Sequence, residues 1–419
     1  PLIDTTPEAL KKIIEDNAQK ENPIYYFRIA KSVDVETYEK LNQLESPTTG
    51  TRLDGLQFEY TAERIYPEGK LAAHVIGLTN EYKNELYGVG GLEQAMDGNL
   101  DPVEGLIIKE SDAQGNAVAS SLIPTIEPKR GKSIHTSIDT SLQMIIEDQV
   151  KKSVEQFEAE SGSIIVMDPK SGEIKGFANY PTYNPNLRDE EDPDVYTNFA
   201  ITAPFEMGSI AKVMTMSAAM DLGYITPQTV IMPNGHEGCE EFSEELPPLC
   251  TWDKKPQEGP LTAEKCLILS DNICFYHIAQ KMSADEFYSY LDGFGIGKPS
   301  GIDLTGESIW YLRKPEEWIN EDFAAFSYGH GYLVNTIQAL SALSAVPNNG
   351  VRMQPHLVTK VVDESTGTER KQTPQILDSV ISDESANQIM GSMYQVYLSN
   401  IRDYEKQYQD LLNYKIGMK

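Results

Sequence analysis

The run Val213-Met214-Thr215-Met216-Ser217-Ala218-Ala219-Met220 is apolar or small on nearly every side of a helix. A helix with one apolar stripe rests on a surface, whereas one without a polar face must be enclosed by other elements. The sequence therefore predicts a core helix from Ser209 to about Leu222, wrapped by the rest of a large domain. At 419 residues the chain has enough length for two or three domains and a sizeable core. The segment that opens this helix is Phe205-Glu206-Met207-Gly208-Ser209-Ile210-Ala211-Lys212. Its spacing puts the Ser209 hydroxyl and the Lys212 amine on one face, one turn apart. An amine held there accepts the serine proton if burial or a nearby cation lowers its pKa. Gly208 permits a tight turn into the helix. The first helical amides then point to where an oxyanion would form.

S-x-x-K alone is common by chance, and its plain meaning is a helix start with a solvated lysine. The later Ser270-Asp271-Asn272 narrows the choice, adding a hydroxyl and an amide able to relay a proton and hold a peptide. A further lysine, Lys419, stands at the end of Tyr414-Lys415-Ile416-Gly417-Met418-Lys419.

Composition bounds the remaining choices. Forty per cent of residues are hydrophobic and 24% charged, the profile of a soluble globular chain. No run of about 18 apolar residues occurs, so no membrane-spanning helix is expected. The net charge of −29 argues against nucleic acid or an anionic membrane as a partner. The acidic run Asp189-Glu190-Glu191-Asp192-Pro193-Asp194 reads as a solvated loop without regular calcium-ligand spacing. The start Pro1-Leu2-Ile3-Asp4 shows neither initiator methionine nor signal peptide, so the sequence reads as a piece cut from something longer at both ends. Among the four cysteines, Cys239 and Cys250 suit a loop-closing disulfide, or with His236 the start of a zinc site that lacks a clear fourth ligand. Cys266 and Cys274 read as buried small hydrophobes.

Along the chain, helices are expected over 7–17 and 35–44, around a strand at 24–30. Phe58-Glu59-Tyr60 and Leu106-Ile107-Ile108 read as strands. The stretch Pro124 to Lys132 reads as a linker. An amphipathic helix follows over 137–160, capped by Asp139 or Thr140. Its expected stripe is Leu142, Ile145, Ile146, Val150, Val154 and Phe157. A hairpin is expected over 163–178, and further helices over 262–269, 273–282, 286–294 and 335–347.

These motifs resemble those of class B penicillin-binding proteins, the monofunctional peptidoglycan DD-transpeptidases of bacteria, whose signature is S-x-x-K, S-D-N and K-T-G. The likeness extends to Arg64-Ile65-Tyr66-Pro67, Ala72-Ala73-His74-Val75-Ile76-Gly77 and Gly90-Gly91-Leu92-Glu93-Gln94-Ala95-Met96-Asp97, which look like that family's N-terminal module. It continues through Ile138-Asp139-Thr140-Ser141-Leu142-Gln143, Asp168-Pro169-Lys170-Ser171-Gly172-Glu173-Ile174 and Tyr180-Pro181-Thr182-Tyr183-Asn184-Pro185-Asn186. Ser327-Tyr328-Gly329-His330-Gly331, Gln338, Asn349-Gly350 and Pro355-His356-Leu357-Val358 complete it. The sequence departs from the family at Met207, where proline is usual. It departs again at Ile210-Ala211 between serine and lysine, and at Val334-Asn335-Thr336 in place of a Val-Thr-Pro.

The resemblance implies an α+β fold in two parts. A mixed α/β pedestal or dimerisation-type module would occupy 1–133. A penicillin-binding transpeptidase domain, an antiparallel sheet between helical clusters, would occupy 134–419, with the C-terminal strands absent from the sequence as given. It implies acyl transfer with Ser209 as nucleophile and Lys212 as general base. Ser270, positioned by Lys212 and Lys419, would pass the proton to the leaving D-alanine, and Asn272 would hold the substrate or steady Lys212. Asp271, Gly329 and Gly331 would bind substrate, with a helix cap an equally good reading of Asp271, while His330 reads as a polar loop residue. The implied partners are peptidoglycan stem peptides ending in D-Ala-D-Ala, β-lactam antibiotics and a glycosyltransferase of the cell-wall machinery. No metal or organic cofactor is called for. The implied location is the outer face of the cytoplasmic membrane, reached through an N-terminal anchor outside this sequence. With only the first residue of the third motif, residues 1–419 alone are expected to acylate poorly. Two rival readings share these features. One is a β-lactamase or β-lactam sensor, which needs a deacylating base the sequence does not reveal. The other is a non-catalytic scaffold that docks division or elongation partners through 1–136.

Overall fold

The structure is a computed structural model that describes residues 6–19, 29–30, 33, 35–43, 63–82, 85–103, 106–108, 123–126, 129–187, 193–241, 247–319, 321–403 and 414–419. They belong to two compact units. The smaller comprises Pro1–Arg64 and Glu81–Leu86. Within it the expected helices form as Pro7–Ala18 and Val35–Asn42. Thr6 caps the first by accepting from the Ala9 amide at 3.2 Å. Phe58-Glu59-Tyr60 and the expected strand, except Ile29 and Ala30, lie outside the described residues.

The larger unit comprises Ile65–Asn80 and Tyr87–Lys419. Its centre is the helix Lys212–Asp221, in which every residue from Lys212 to Met220 is buried. Four helices enclose it: Ala263–Leu269, Asn272–Ala279, Ala284–Gly293 and Asp383–Asp403. Met214, Met216, Phe275, Phe287, Phe294 and Phe326 pack into this core. The enclosure predicted from the all-apolar helix is what forms, and the architecture is α+β.

The expected hairpin pairs Gly162–Met167 with Ile174–Tyr180, antiparallel, with Ile164 opposite Ala178. The helix Thr140–Phe157 lies against it. Asp139 is the residue that caps this helix, accepting from the Leu142 amide at 2.9 Å. Its buried face is Gln143, Ile146, Val150 and Val154. Ile145 and Phe157 were expected on that face, yet they are 58% and 75% exposed. Gln143 takes a place in the buried row instead. Fully enclosed, it accepts from the Phe177 amide and donates to the Phe177 carbonyl, both at 2.8 Å, as a neighbouring strand would.

The expected linker at 124–132 is in part strand, its residues 124–126 belonging to Ile123–Ile126. Ile123–Ile126 pairs with Leu106–Ile108, and Ser133–Thr136 joins Val358–Asp363, which also pairs with Thr368–Lys371. Pro124 is tolerated because a two-stranded pair leaves an outer edge where no amide is needed. Asn335, a departure from the family pattern, caps the helix Thr336–Ser344. It exchanges bonds with Gln338 at 2.9 and 3.0 Å, and its amide donates to the carbonyls of Ile201 and Ser308.

Candidate active site

Gly208–Ala211 forms one tight 3₁₀ turn before the α-helix proper begins at Lys212. Gly208 has φ +56°, a left-handed conformation that glycine adopts without a side-chain penalty. The turn is braced from outside, because the Gly208 amide donates to the Gly329 carbonyl at 2.9 Å. Gly329, at φ +88°, approaches so closely that a Cβ there would stand 2.1 Å from the Gly208 carbonyl oxygen. The result is an exposed Ser209 at the mouth of a buried cluster.

Lys212 is completely buried. Its Nζ donates to the Ser209 hydroxyl at 3.1 Å, the Ser270 carbonyl at 2.7 Å, the Ser270 hydroxyl at 3.3 Å and the Asn272 side-chain oxygen at 2.7 Å. It also lies 5.7 Å from the centre of the Phe275 ring. Each of these hydrogen-bond acceptors is neutral. Burial first, and then the positive charge of Lys419, bring the Lys212 pKa down to about 7 against the opposing charge of Asp271. An amine of that pKa exchanges protons readily near neutrality.

The Ser270-Asp271-Asn272 segment is the joint between two core helices. The helix Ala263–Leu269 ends at Ser270, whose φ is +55°. A non-glycine residue held there carries backbone strain of about 1–3 kcal/mol, which the packing on both sides sustains. That conformation turns both the carbonyl and the hydroxyl of Ser270 onto Lys212.

Other expected site residues sit differently. Asp271 is 2% exposed, too enclosed for the substrate contact expected of it. One carboxylate oxygen caps the helix Asn272–Ala279 through the Cys274 amide at 3.0 Å, and the other meets His236 Nε2 at 2.6 Å. Gly329 is spent on bracing Gly208. The Gly331 amide donates to Glu206 at 2.8 Å, and His330 Nδ1 meets the same carboxylate at 2.7 Å. The Gly331 bond, then the His330 contact, hold the Glu206 carboxyl below its ordinary range. Lys419 was expected to position Ser270. Its hydrogen bond among the described residues goes instead to the Leu267 carbonyl at 2.8 Å, one turn earlier on the same helix. Burial brings its pKa down to about 8.

Cys239 and Cys250 are bonded to each other, and so are Cys266 and Cys274, which corrects the expectation of two separate buried thiols. His236, the third residue of the zinc alternative, gives its Nε2 to Asp271. Sequence reasoning missed Glu206 and Phe275 as neighbours of the site and missed what His236 does there. Glu206, adjoining the serine motif, was the one with a legible signal.

The comparisons agree with this geometry. A family model described as the penicillin-binding protein transpeptidase domain matches residues 162–419, and one described as the penicillin-binding protein dimerisation domain matches residues 1–136. Stage V sporulation protein D of Bacillus subtilis (strain 168) is 28% identical over 343 residues, covering 80% of this chain and 52% of that protein. Peptidoglycan D,D-transpeptidase FtsI of Escherichia coli (strain K12) is 28% identical over 317 residues, covering 74% and 50%. The crystal structure of penicillin binding protein 2X from Streptococcus thermophilus superposes with a TM-score of 0.69 at 26% identity, covering 79% of this chain and 48% of that one. The chain spans about half the length of the curated relatives it matches. Since the transpeptidase domain alone accounts for more than half of the residues and the dimerisation domain precedes it, the chain belongs to the class B penicillin-binding proteins.

Proposed function

We propose that the protein is a serine D,D-transpeptidase that cross-links peptidoglycan stem peptides and is acylated by β-lactams at the same serine. The single observation that carries this reading is Lys212, fully buried and 3.1 Å from the Ser209 hydroxyl, with its pKa brought down to about 7. A lysine in that state is a base rather than a structural cation.

In the proposed reaction Ser209 Oγ attacks the carbonyl carbon of the penultimate D-alanine while its proton moves to the Lys212 amine. The tetrahedral oxyanion forms beside the amides that open the helix. Lys212 then returns the proton through the Ser270 hydroxyl, 3.3 Å away, to the departing amine of the terminal D-alanine. An amine from a second stem peptide attacks the acyl-enzyme and gives a proton to Lys212, which passes it to the departing Ser209 Oγ, 3.1 Å away, and so restores the free serine and amine. Asn272 holds Lys212 through its oxygen, and the exposed Gly331 edge lines the approach to Ser209. Lys419 acts at a distance, its charge favouring the free amine of Lys212.

The names of the relatives support work outside the cytoplasm on the cell wall, with anchoring and a glycosyltransferase partner as further parts of the proposal. We place the division between the pedestal module and the transpeptidase domain near residue 134. Labelling the full-length protein with a fluorescent penicillin tests the reading. The expected result is one covalent label that Ser209→Ala removes; no label, or a label that survives Ser209→Ala, overturns it.

A further inference from the structure

Residues 235–241 and 247–258 pair with each other and grip the Ser270-Asp271-Asn272 joint. Their two-residue strands pair His236 with Gln257 and Cys239 with Cys250, and the Cys239–Cys250 disulfide locks the second pair. Three contacts run from them to the start and the last turn of the helix Asn272–Ala279. His236 meets Asp271 at 2.6 Å, the Asn272 side-chain amide donates to the Cys250 carbonyl at 3.1 Å, and His277 meets Glu240 at 2.8 Å. The His236 and Asp271 side chains are 4% and 1% exposed. The Gly238 amide donates to His236 Nδ1 at 3.0 Å, which makes that nitrogen the acceptor. The proton on the neutral ring is therefore on Nε2, aimed at Asp271.

We infer that His236 is a positioning residue for acyl transfer, acting through Asp271 to fix the joint that presents Ser270 and Asn272 to Lys212. Asn272 is the relay of the grip. Its amide is held by Cys250, which leaves its oxygen pointed at Lys212 Nζ at 2.7 Å. Without His236 one oxygen of a buried carboxylate loses its donor, and a joint that already carries a left-handed Ser270 is free to relax. Misplacement of a catalytic group by about 1 Å costs on the order of a hundredfold in rate. The inference rests on the proposed serine mechanism.

The experiment measures acylation of the full-length protein by a chromogenic cephalosporin, separating the first-order acylation constant from the binding constant. The variants are His236→Ala, His236→Gln and the pair Cys239→Ser with Cys250→Ser, each with its thermal midpoint. Glutamine can place an amide donor where Nε2 stands. We expect His236→Ala to slow the acylation constant about a hundredfold with little change in the binding constant, and His236→Gln to recover most of the loss. The double serine variant should be slowed in the same constant. If the wild-type protein is not acylated, the serine mechanism itself fails. If it is acylated and His236→Ala reacts at the wild-type rate, the positioning role is wrong. It is equally wrong if His236→Gln, folded by its thermal midpoint, is as slow as alanine, or if only the binding constant moves.

Discussion

Lys212 Nζ and Ser209 Oγ lie 3.1 Å apart across the first turn of a helix whose lysine is wholly buried and whose serine is exposed. The burial of one and the exposure of the other give the pair its proposed chemistry. They also give it a cost, because a buried amine resists its proton while the unfolded chain keeps it.

That cost predicts opposite effects on activity and stability. Lys212→Met should abolish acylation and make the fold more stable at neutral pH, because it removes a buried group that disfavours the proton the unfolded chain keeps. The sign of the pH dependence follows from linkage. Between about 7 and the ordinary lysine value of 10.5 the unfolded lysine binds a proton that the folded one does not, so the wild-type fold gains stability as pH rises through that window. The difference between variant and wild type should therefore shrink from pH 7 to pH 10 in chemical denaturation.

Lys419 gives a second pH prediction. Its charge depresses the Lys212 pKa, so Lys419→Met should move the acid limb of the acylation profile to higher pH. A limb that stays put, or moves to lower pH, contradicts the electrostatic role.

The brace between glycines is testable by adding one carbon. Gly329→Ala would place a Cβ 2.1 Å from the Gly208 carbonyl oxygen on a backbone at φ +88°. Strain of that kind costs about 1–3 kcal/mol before the clash is counted. The variant should lose both thermal stability and acylation rate, whereas His330→Ala beside it, on an exposed side chain, should change stability by less than about 0.5 kcal/mol.

Gln143 offers a test of the scaffold far from the chemistry. Gln143→Met leaves the Phe177 amide and carbonyl without the partners they now have, at about 1–3 kcal/mol for each buried group. Denaturant unfolding should show the loss. An unchanged midpoint would mean that strand and helix do not depend on this side chain.

Much of this was legible in the sequence wherever one local rule decided the outcome. The all-apolar run from Val213 to Met220 required enclosure, and the three-residue spacing of Ser209 and Lys212 put them on one face. Asp139, followed by periodic apolar residues, announced a cap. Legibility failed where a side chain answered to distant backbone. Nothing near Gln143 shows that it replaces a strand partner for Phe177, so Ile145 and Phe157 were placed on the buried face. Asp271 and His236 are far apart in the chain, and only the folded hairpin brings them to 2.6 Å. The constraint that the backbone of Gly208 puts on Gly329 is likewise a tertiary one. Pro124 suggested a linker because proline usually stops strands, but an outer edge accepts it.

The measurement that bears most directly on the central claim is the pH profile of penicillin acylation of the full-length protein, followed by intact mass and by mapping of the adduct. We predict a single adduct on Ser209, formed at a rate that rises with pH through about 7 as the Lys212 amine becomes free. An adduct on another residue, or a rate that does not change as pH passes through neutrality, would contradict the assignment of Lys212 as the base.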